Sequence, residues 1–250
     1  MNLSRGDIAA TIVLICHRLY ERGFVTATDG NVSARLPNGN ILITPSSVNK
    51  GAVGESMLVE IKPDGTSVTL SRSPSTELGM HCFIYRERPD VQAIVHGHPT
   101  YATGFAAARI PLSHDVFPEV IIGLGEVPLA DYATPSTHEL ADSLAPYVRS
   151  ADAILMANHG VVAYGASVEE AYYKLEKVEH AAHITFVARM LGGERRLTAE
   201  QIGKLYAASA PARNEKSFRG PVQTKHSDPS EEEVKQLIRT MLGETPMSKS

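Results

Sequence analysis

Cysteine is nearly absent, and so are the other marks of a secreted, membrane-bound or nucleic-acid-binding chain. Two cysteines in 250 residues, Cys16 and Cys82, cannot make a disulfide framework. Each sits in an apolar, helical-looking context, so free thiols in a reducing compartment are expected. Long basic runs are missing and the formal net charge is −4, which removes the electrostatic footprint of a nucleic-acid partner. No stretch approaches the roughly 18 consecutive apolar residues of a membrane span. Residues 1–7 carry no basic flank running into an apolar core, so a cytoplasmic protein is expected. No repeat of solenoid type occurs.

What remains is an ordinary globular composition, 43% hydrophobic, long enough for one large domain. Ile8, Ile12, Ile15 and Leu19 follow a helical period that ends near Gly23. Asn38-Gly39 between β-rich segments predicts a hairpin with strands near 31–35 and 41–43, and residues 57–61 and 67–70 around Asp64-Gly65 predict a second strand pair. A helix opens after Ser73-Pro74-Ser75-Thr76-Glu77, with a hydroxyl of Ser75 or Thr76 as its cap and Glu77 in its first turn. Residues 101–108 and 137–147 read as helices, and residues 110–125 as loop and strand. From Ser167 a long helix reaches Leu191 and stops at Gly192-Gly193, and a short one covers 199–209. The expected fold is a single three-layer α/β/α domain over residues 1–210 with a largely antiparallel sheet. Residues 211–250 form a polar, Pro/Gly-punctuated arm, closing in a helix whose apolar stripe is Val234, Leu237, Ile238, Met241 and Leu242.

Two stretches carry chemistry. Residues 91–99 are an apolar run ending in His96-Gly97-His98-Pro99. Residues two apart on a strand share a face, so the two imidazoles converge, as metal ligands must. Residues 152–160 repeat the pattern and deliver His159 at the end of a second buried strand, which supplies a third nitrogen. Elsewhere, Gly30-Asn31 and Thr44-Ser46-Ser47 flank the first hairpin, and Ser75 with Thr76 stands at a helix start. Hydroxyls, an amide and exposed backbone N–H groups suit a phosphate, although plain turn chemistry explains each cluster taken alone. His114, Asp115 and Glu119 are loop candidates. His17 and His138 read as helix-surface residues, and His180 and His183 as interface residues of the long helix.

The ordered motifs Gly30-Asn31-Val32-Ser33, Thr44-Pro45-Ser46-Ser47, Pro74-Ser75-Thr76-Glu77, His96-Gly97-His98-Pro99 and Asn158-His159-Gly160 resemble the class II aldolase/adducin family. The likeness spans roughly residues 5 to 195. It implies a divalent metal, usually zinc, with Mn2+, Co2+ or Mg2+ as alternatives, held by His96, His98 and His159. Glu77 would complete the resting site and serve as acid/base once substrate displaces it, its pKa then raised by apolar surroundings. Asn31, Ser46, Ser47, Ser75 and Thr76 would hold a substrate phosphate. Two departures stand out: the aldolases commonly have glycine where Ser47 is, and often serine where Thr76 is. Glu119 aligns with the acid/base that family members borrow from an adjoining subunit. A homotetramer with sites between subunits is therefore implied.

The resemblance makes retro-aldol cleavage of a small phosphorylated ketose or sugar-acid derivative, through a metal-stabilised enediolate, the expected reaction. A pentulose-phosphate 4-epimerase, or a sugar-acid phosphate decarboxylase or dehydratase, would use the same centre. An adducin-like interaction module is the non-enzymatic alternative, and such heads are expected to lack a complete ligand set.

Overall fold

The computed structural model describes residues 3–113 and 115–209. His114, and the arm and amphipathic helix expected over residues 211–250, lie outside the described residues. Helix α1 (Arg5–Glu21) begins at Ser4, whose hydroxyl accepts from Asp7 N while the Asp7 carboxylate accepts from Ser4 N, a reciprocal capping box. Its buried stripe includes Ile8, Ile12, Ile15 and Leu19, as the helical period requires.

Among the described residues seven strands form one sheet: β1 (Asn31–Arg35), β2 (Ile41–Ile43), β3 (Val59–Ile61), β4 (Ala93–Gly97), β5 (Leu129–Ala130), β6 (Ala153–Met156) and β7 (Gly160–Gly165). Their order across the sheet is β3-β2-β1-β4-β7-β6-β5. Every neighbour pair is antiparallel except β5 with β6. Period-two alternation then sorts side chains between two cores. Val32, Ala34, Ala93, Val95, Val161 and Ala163 face α1, α3 (Thr100–Ala108) and α6 (Val168–Met190). Ile94, Ile154, Val162 and Tyr164 face α2 (Leu78–Glu87) and α5 (His138–Leu144). The result is a three-layer α/β/α domain, as the element pattern predicted. Helices α4 (Pro118–Gly123) and α7 (Ala199–Ser209) pack on one another, and α4 also meets α6. No helix among the described residues is long and apolar enough to cross a membrane. Both thiols are free.

Three local expectations are corrected. Residues 67–70 are not a strand: only Ser67 makes an isolated bridge, to Ile61, because Thr69 N and Val68 N both turn to the single acceptor Glu60 O. Residues 118–123 are helical rather than extended, since Pro118 at the first helical turn presets φ and its missing N–H is not needed there. The cap of α2 is Glu77 itself, with no side-chain cap bond; Ser75 Oγ instead accepts from Glu77 N at 3.3 Å, forming the turn that leads into the helix.

Candidate metal centre

The antiparallel pairing of β4 with β7 sets Gly97 opposite Val161, so His98, just past β4, stands beside the β6–β7 hairpin that carries His159. Asn158 takes φ 57° in that hairpin, a left-handed conformation that asparagine tolerates. Gly160 is there because of crowding: a Cβ on it would lie 2.6 Å from Gly97 O and 2.6 Å from His98 Cδ2. Gly30, at φ +72°, similarly lets the chain entering β1 pass close beneath His96 O. His98 is further pinned by its own N–H, which donates to Phe24 O at 2.7 Å. Downstream, the Glu179 carboxylate of α6 accepts from Tyr101 N and Ala102 N and so fixes the helix that starts right after His98-Pro99.

The one ligand atom that each of His96, His98 and His159 offers lies within 4.8 Å of the others. His96 is fully buried, and its Nδ1–H donates to Val161 O at 2.8 Å, which leaves Nε2 as a lone pair facing the cluster. His98 Nε2 is 3.2 Å from His96 Nε2, and Asp29 Oδ2 stands 3.7 Å behind His98 Nδ1. Glu77 reaches in from the start of α2, with Oε2 3.2 Å from His96 Nε2 and Oε1 3.2 Å from His159 Nε2. Donors about 2.0–2.1 Å from a tetrahedral zinc-like ion are separated by roughly 3.3–3.4 Å, so these spacings fit one cation at their centre. Buried Glu77 Oε1 also lacks a hydrogen-bond partner, an orphaned acceptor that a cation would satisfy.

Burial pushes the His96 imidazolium down to about 3, so the ring is neutral and able to coordinate. For Glu77, burial acts upward, but His96, His159 and the Asn31 amide outweigh it and hold the carboxyl well below its ordinary range. This is Glu77 lodged against the histidines; the raised pKa expected of it belongs to the carboxyl displaced by substrate. Asn31 Nδ2 donates to Glu77 Oε2 at 2.7 Å.

The hydroxyl clusters are brought together too. An antiparallel bridge joins Pro45 to Pro74, Ser46 N donates to Ser73 O and Ser75 N donates to Thr44 O. Ser46, Ser47, Ser75 and Thr76 thus share one stitched pair of loops beside Glu77. Ser47 and Thr76 are exposed and Ser75 is buried. Ser47 has φ +58°, the left-handed region that glycine enters freely. Buried Lys50 ties the neighbouring segments together, its Nζ donating to Thr28 O at 3.0 Å and Val48 O at 2.7 Å.

Other candidates fall elsewhere. Glu119 is exposed in the first turn of α4 and is not brought into the cluster of its own chain; Lys177 Nζ reaches its backbone carbonyl at 3.3 Å. Asp115 faces Arg196 at 3.7 Å. His183 stacks on Tyr101 with ring centroids 3.9 Å apart, and His17 Nε2 lies 2.9 Å from Val53 O; neither joins the triad. One residue was missed altogether. His81 is fully buried and linked to Asn31, and the signal was its spacing of four from Glu77 on one helix face.

The model of the family described as Class II Aldolase and Adducin N-terminal domain matches residues 10–186. Over 197 residues the chain is 34% identical to the 3-oxo-tetronate 4-phosphate decarboxylase of Escherichia coli strain K12, covering 76% of this chain and 91% of that protein. Over 192 residues it is 34% identical to the L-fuculose phosphate aldolase of Methanococcus maripaludis strain C5, covering 77% and 99%. The crystal structure of YgbL from Klebsiella pneumoniae superposes with a TM-score of 0.75 at 30% identity, covering 82% of this chain and all of that one.

Proposed function

Because the chain belongs to the class II aldolase and adducin family, we propose that it is a metal-dependent lyase that breaks a carbon–carbon bond in a small phosphorylated ketose or sugar-acid derivative. The observation that carries this reading is the convergence of three imidazole nitrogens and an orphaned carboxylate oxygen beside two stitched hydroxyl loops. A complete ligand set argues against a solely adducin-like interaction role.

His96, His98 and His159 would hold the metal, with Glu77 completing the ligand set. Three neutral imidazoles with one carboxylate suit Zn2+ best, with Co2+ or Mn2+ as substitutes and Mg2+ least favoured by nitrogen ligands. When bound, the ion supplies Lewis-acid stabilisation to the oxyanion that develops on a ketone as the adjacent bond breaks. The chain's own groups do the rest. Ser46, Ser47, Ser75 and Thr76 grip the phosphate and orient the carbon chain, which lowers the entropic part of the barrier. Asn31 Nδ2 donates to Glu77 Oε2 and orients that carboxylate. In cleavage, the hydroxyl of the departing carbon loses its proton and becomes an aldehyde, and the bond's electron pair moves toward the ketone. Glu77, having taken up a proton from solvent once substrate displaces it, gives that proton to the carbon left behind. Glu119, exposed on α4, takes the hydroxyl proton in the site of a neighbouring subunit. Exposed Ile184, Val187, Met190 and Leu191 at the end of α6 support a homo-oligomer, which we take to be a tetramer, working in the cytoplasm.

A decarboxylase reading stands beside the aldolase reading because relatives of both names match at 34% identity. In it carbon dioxide, not an aldehyde, leaves with the same electron flow. A 4-epimerase would rejoin the fragments. The purified protein should be given L-fuculose 1-phosphate, pentulose phosphates and 3-oxo-tetronate 4-phosphate, with aldehyde, epimer and carbon dioxide measured separately. Turnover of one of them, abolished by chelator and restored by zinc, is expected; no turnover of any under metal-loaded conditions contradicts the reading.

A further inference from the structure

Beside Glu77 lies a string of polar side chains buried between β1 and α2. Glu77, His81 and Tyr85 sit four residues apart and so share one helix face. Asn31 and Ser33 sit two apart and share the facing side of β1. The two periods mesh. Asn31 Nδ2 meets Glu77 Oε2 at 2.7 Å, Asn31 Oδ1 meets His81 Nε2, His81 Nδ1 meets Ser33 Oγ at 2.6 Å, and Ser33 Oγ meets Tyr85 OH at 2.8 Å. Ser33 and His81 are wholly buried, Asn31 is 2% exposed and Tyr85 3%.

Each link allows only one direction once the first is set. An ionised carboxylate accepts and cannot donate, so the Asn31 NH2 must face Glu77 and its oxygen must face His81. That oxygen accepts only, so His81 Nε2 must carry the hydrogen. In a neutral ring Nδ1 is then an acceptor, and Ser33 must give it its hydroxyl proton. Ser33's lone pair in turn accepts from Tyr85. Burial favours the uncharged forms this order needs: the His81 imidazolium is pushed down to about 4 and the Tyr85 phenol is pushed up. Asn31 has no proton to pass along, so the string orients groups and does not conduct protons.

We propose that His81 is a positioning residue, its ring held as the Nε2–H tautomer by Ser33 and Tyr85 so that the Asn31 amide always presents its NH2, never its oxygen, to Glu77. An apolar core would fill the same space at no cost in buried polar groups, so the string needs a reason beyond packing. The reason is orientation: a flipped Asn31 would set its oxygen against the carboxylate. The catalytic part of this inference rests on the acid/base role of Glu77 proposed above; the tautomer does not.

The test uses the full-length, zinc-loaded chain with 15N-labelled histidine. Long-range proton–nitrogen NMR correlations identify the ring tautomer, and the His81 signals are those lost in His81→Gln. The Nε2–H form is expected in the wild type, with Ser33→Ala mixing in the other form. Kinetics are read on whichever sugar phosphate the wild type turns over. His81→Phe should keep metal content and lower kcat roughly 10–100-fold with KM within about threefold. His81→Gln, whose amide can donate to Asn31 and accept from Ser33, should recover most of that loss. An Nδ1–H ring, wild-type kcat in His81→Phe, or His81→Gln as damaged as His81→Phe would each overturn the proposal. If His81→Phe does not fold, the wild-type tautomer and its response to Ser33→Ala decide the matter. Should the wild type turn over no sugar phosphate, the role of Glu77 falls, and the tautomer still upholds or overturns the string by itself.

Discussion

Replacing Ser47 by glycine should make the protein more stable while weakening its grip on substrate. Ser47 holds φ +58°, and its side chain is exposed, with a 3.3 Å approach to Ser46 Oγ as its contact. A left-handed conformation costs an L-residue about 1–2 kcal/mol, whereas glycine enters it without strain. Glycine also frees the unfolded chain, which offsets about 0.5–1 kcal/mol of the gain. The hydrogen bond to Ser46 is long and solvated, so its loss is small. A net gain of roughly 0.5–1 kcal/mol remains, and for a domain of this size that raises Tm by about 1–4 °C. Calorimetry at fixed protein concentration reads this directly. Ser47→Ala is the control, because it removes the hydroxyl but keeps a Cβ in the strained region; its Tm should not rise. Both variants should show a similarly raised KM for a phosphorylated substrate, which separates the hydroxyl's contribution from the backbone's. Unchanged or lower stability in Ser47→Gly, or a rise in Ser47→Ala equal to it, would refute the strain argument.

Other outcomes follow from single contacts. Gly160→Ala places a methyl 2.6 Å from Gly97 O and from the His98 ring, so His98 must move. Overpacking of this kind costs about 1–3 kcal/mol, and zinc affinity measured by competition with a chelator should fall at least about tenfold. Acid should destabilise the metal-free protein partly through His81, whose folded pKa of about 4 lies below its ordinary 6.5. The unfolded chain binds the extra proton, so this stability is present above pH 6.5 and is lost as pH falls toward 4, amounting to about 3 kcal/mol. Urea midpoints across that window should drop less steeply in His81→Gln, and parallel curves would contradict the assignment. Glu119→Gln should lower turnover with metal retained; unchanged turnover removes its role.

The sheet and its helices were largely legible because burial enforces periodicity. Ile8, Ile12, Ile15 and Leu19 mark one helix face, and the two apolar runs ending at His96 and His159 mark buried interior strands, β4 at the centre of the sheet and β6 one strand in from its edge. Both histidine stretches were visible for the same reason: a polar residue ending a buried run stands out. Short elements failed. Residues 118–123 look extended by composition, yet Pro118 and the packing of α4 on α6 and α7 make them helical. Ser75 and Thr76 look like caps, yet Ser75 Oγ bonds to Glu77 N within a turn. His81 was overlooked for a different reason: its spacing from Glu77 hints at a shared face but gives it no partner. Its meaning depends on a second period, that of Asn31 and Ser33 on another element, and a one-dimensional reading does not lay a helix face against a strand face.

The central claim is that the triad and Glu77 form a metal site. Metal stoichiometry by elemental analysis of the protein, loaded with zinc and desalted, tests it most directly, with His96→Ala measured beside it. One ion per chain in the wild type and a clear loss in His96→Ala, whose removal opens the buried corner at Glu77 Oε2, is the expected result. A wild type that retains no divalent ion, or a His96→Ala variant that retains as much as the wild type, would contradict it.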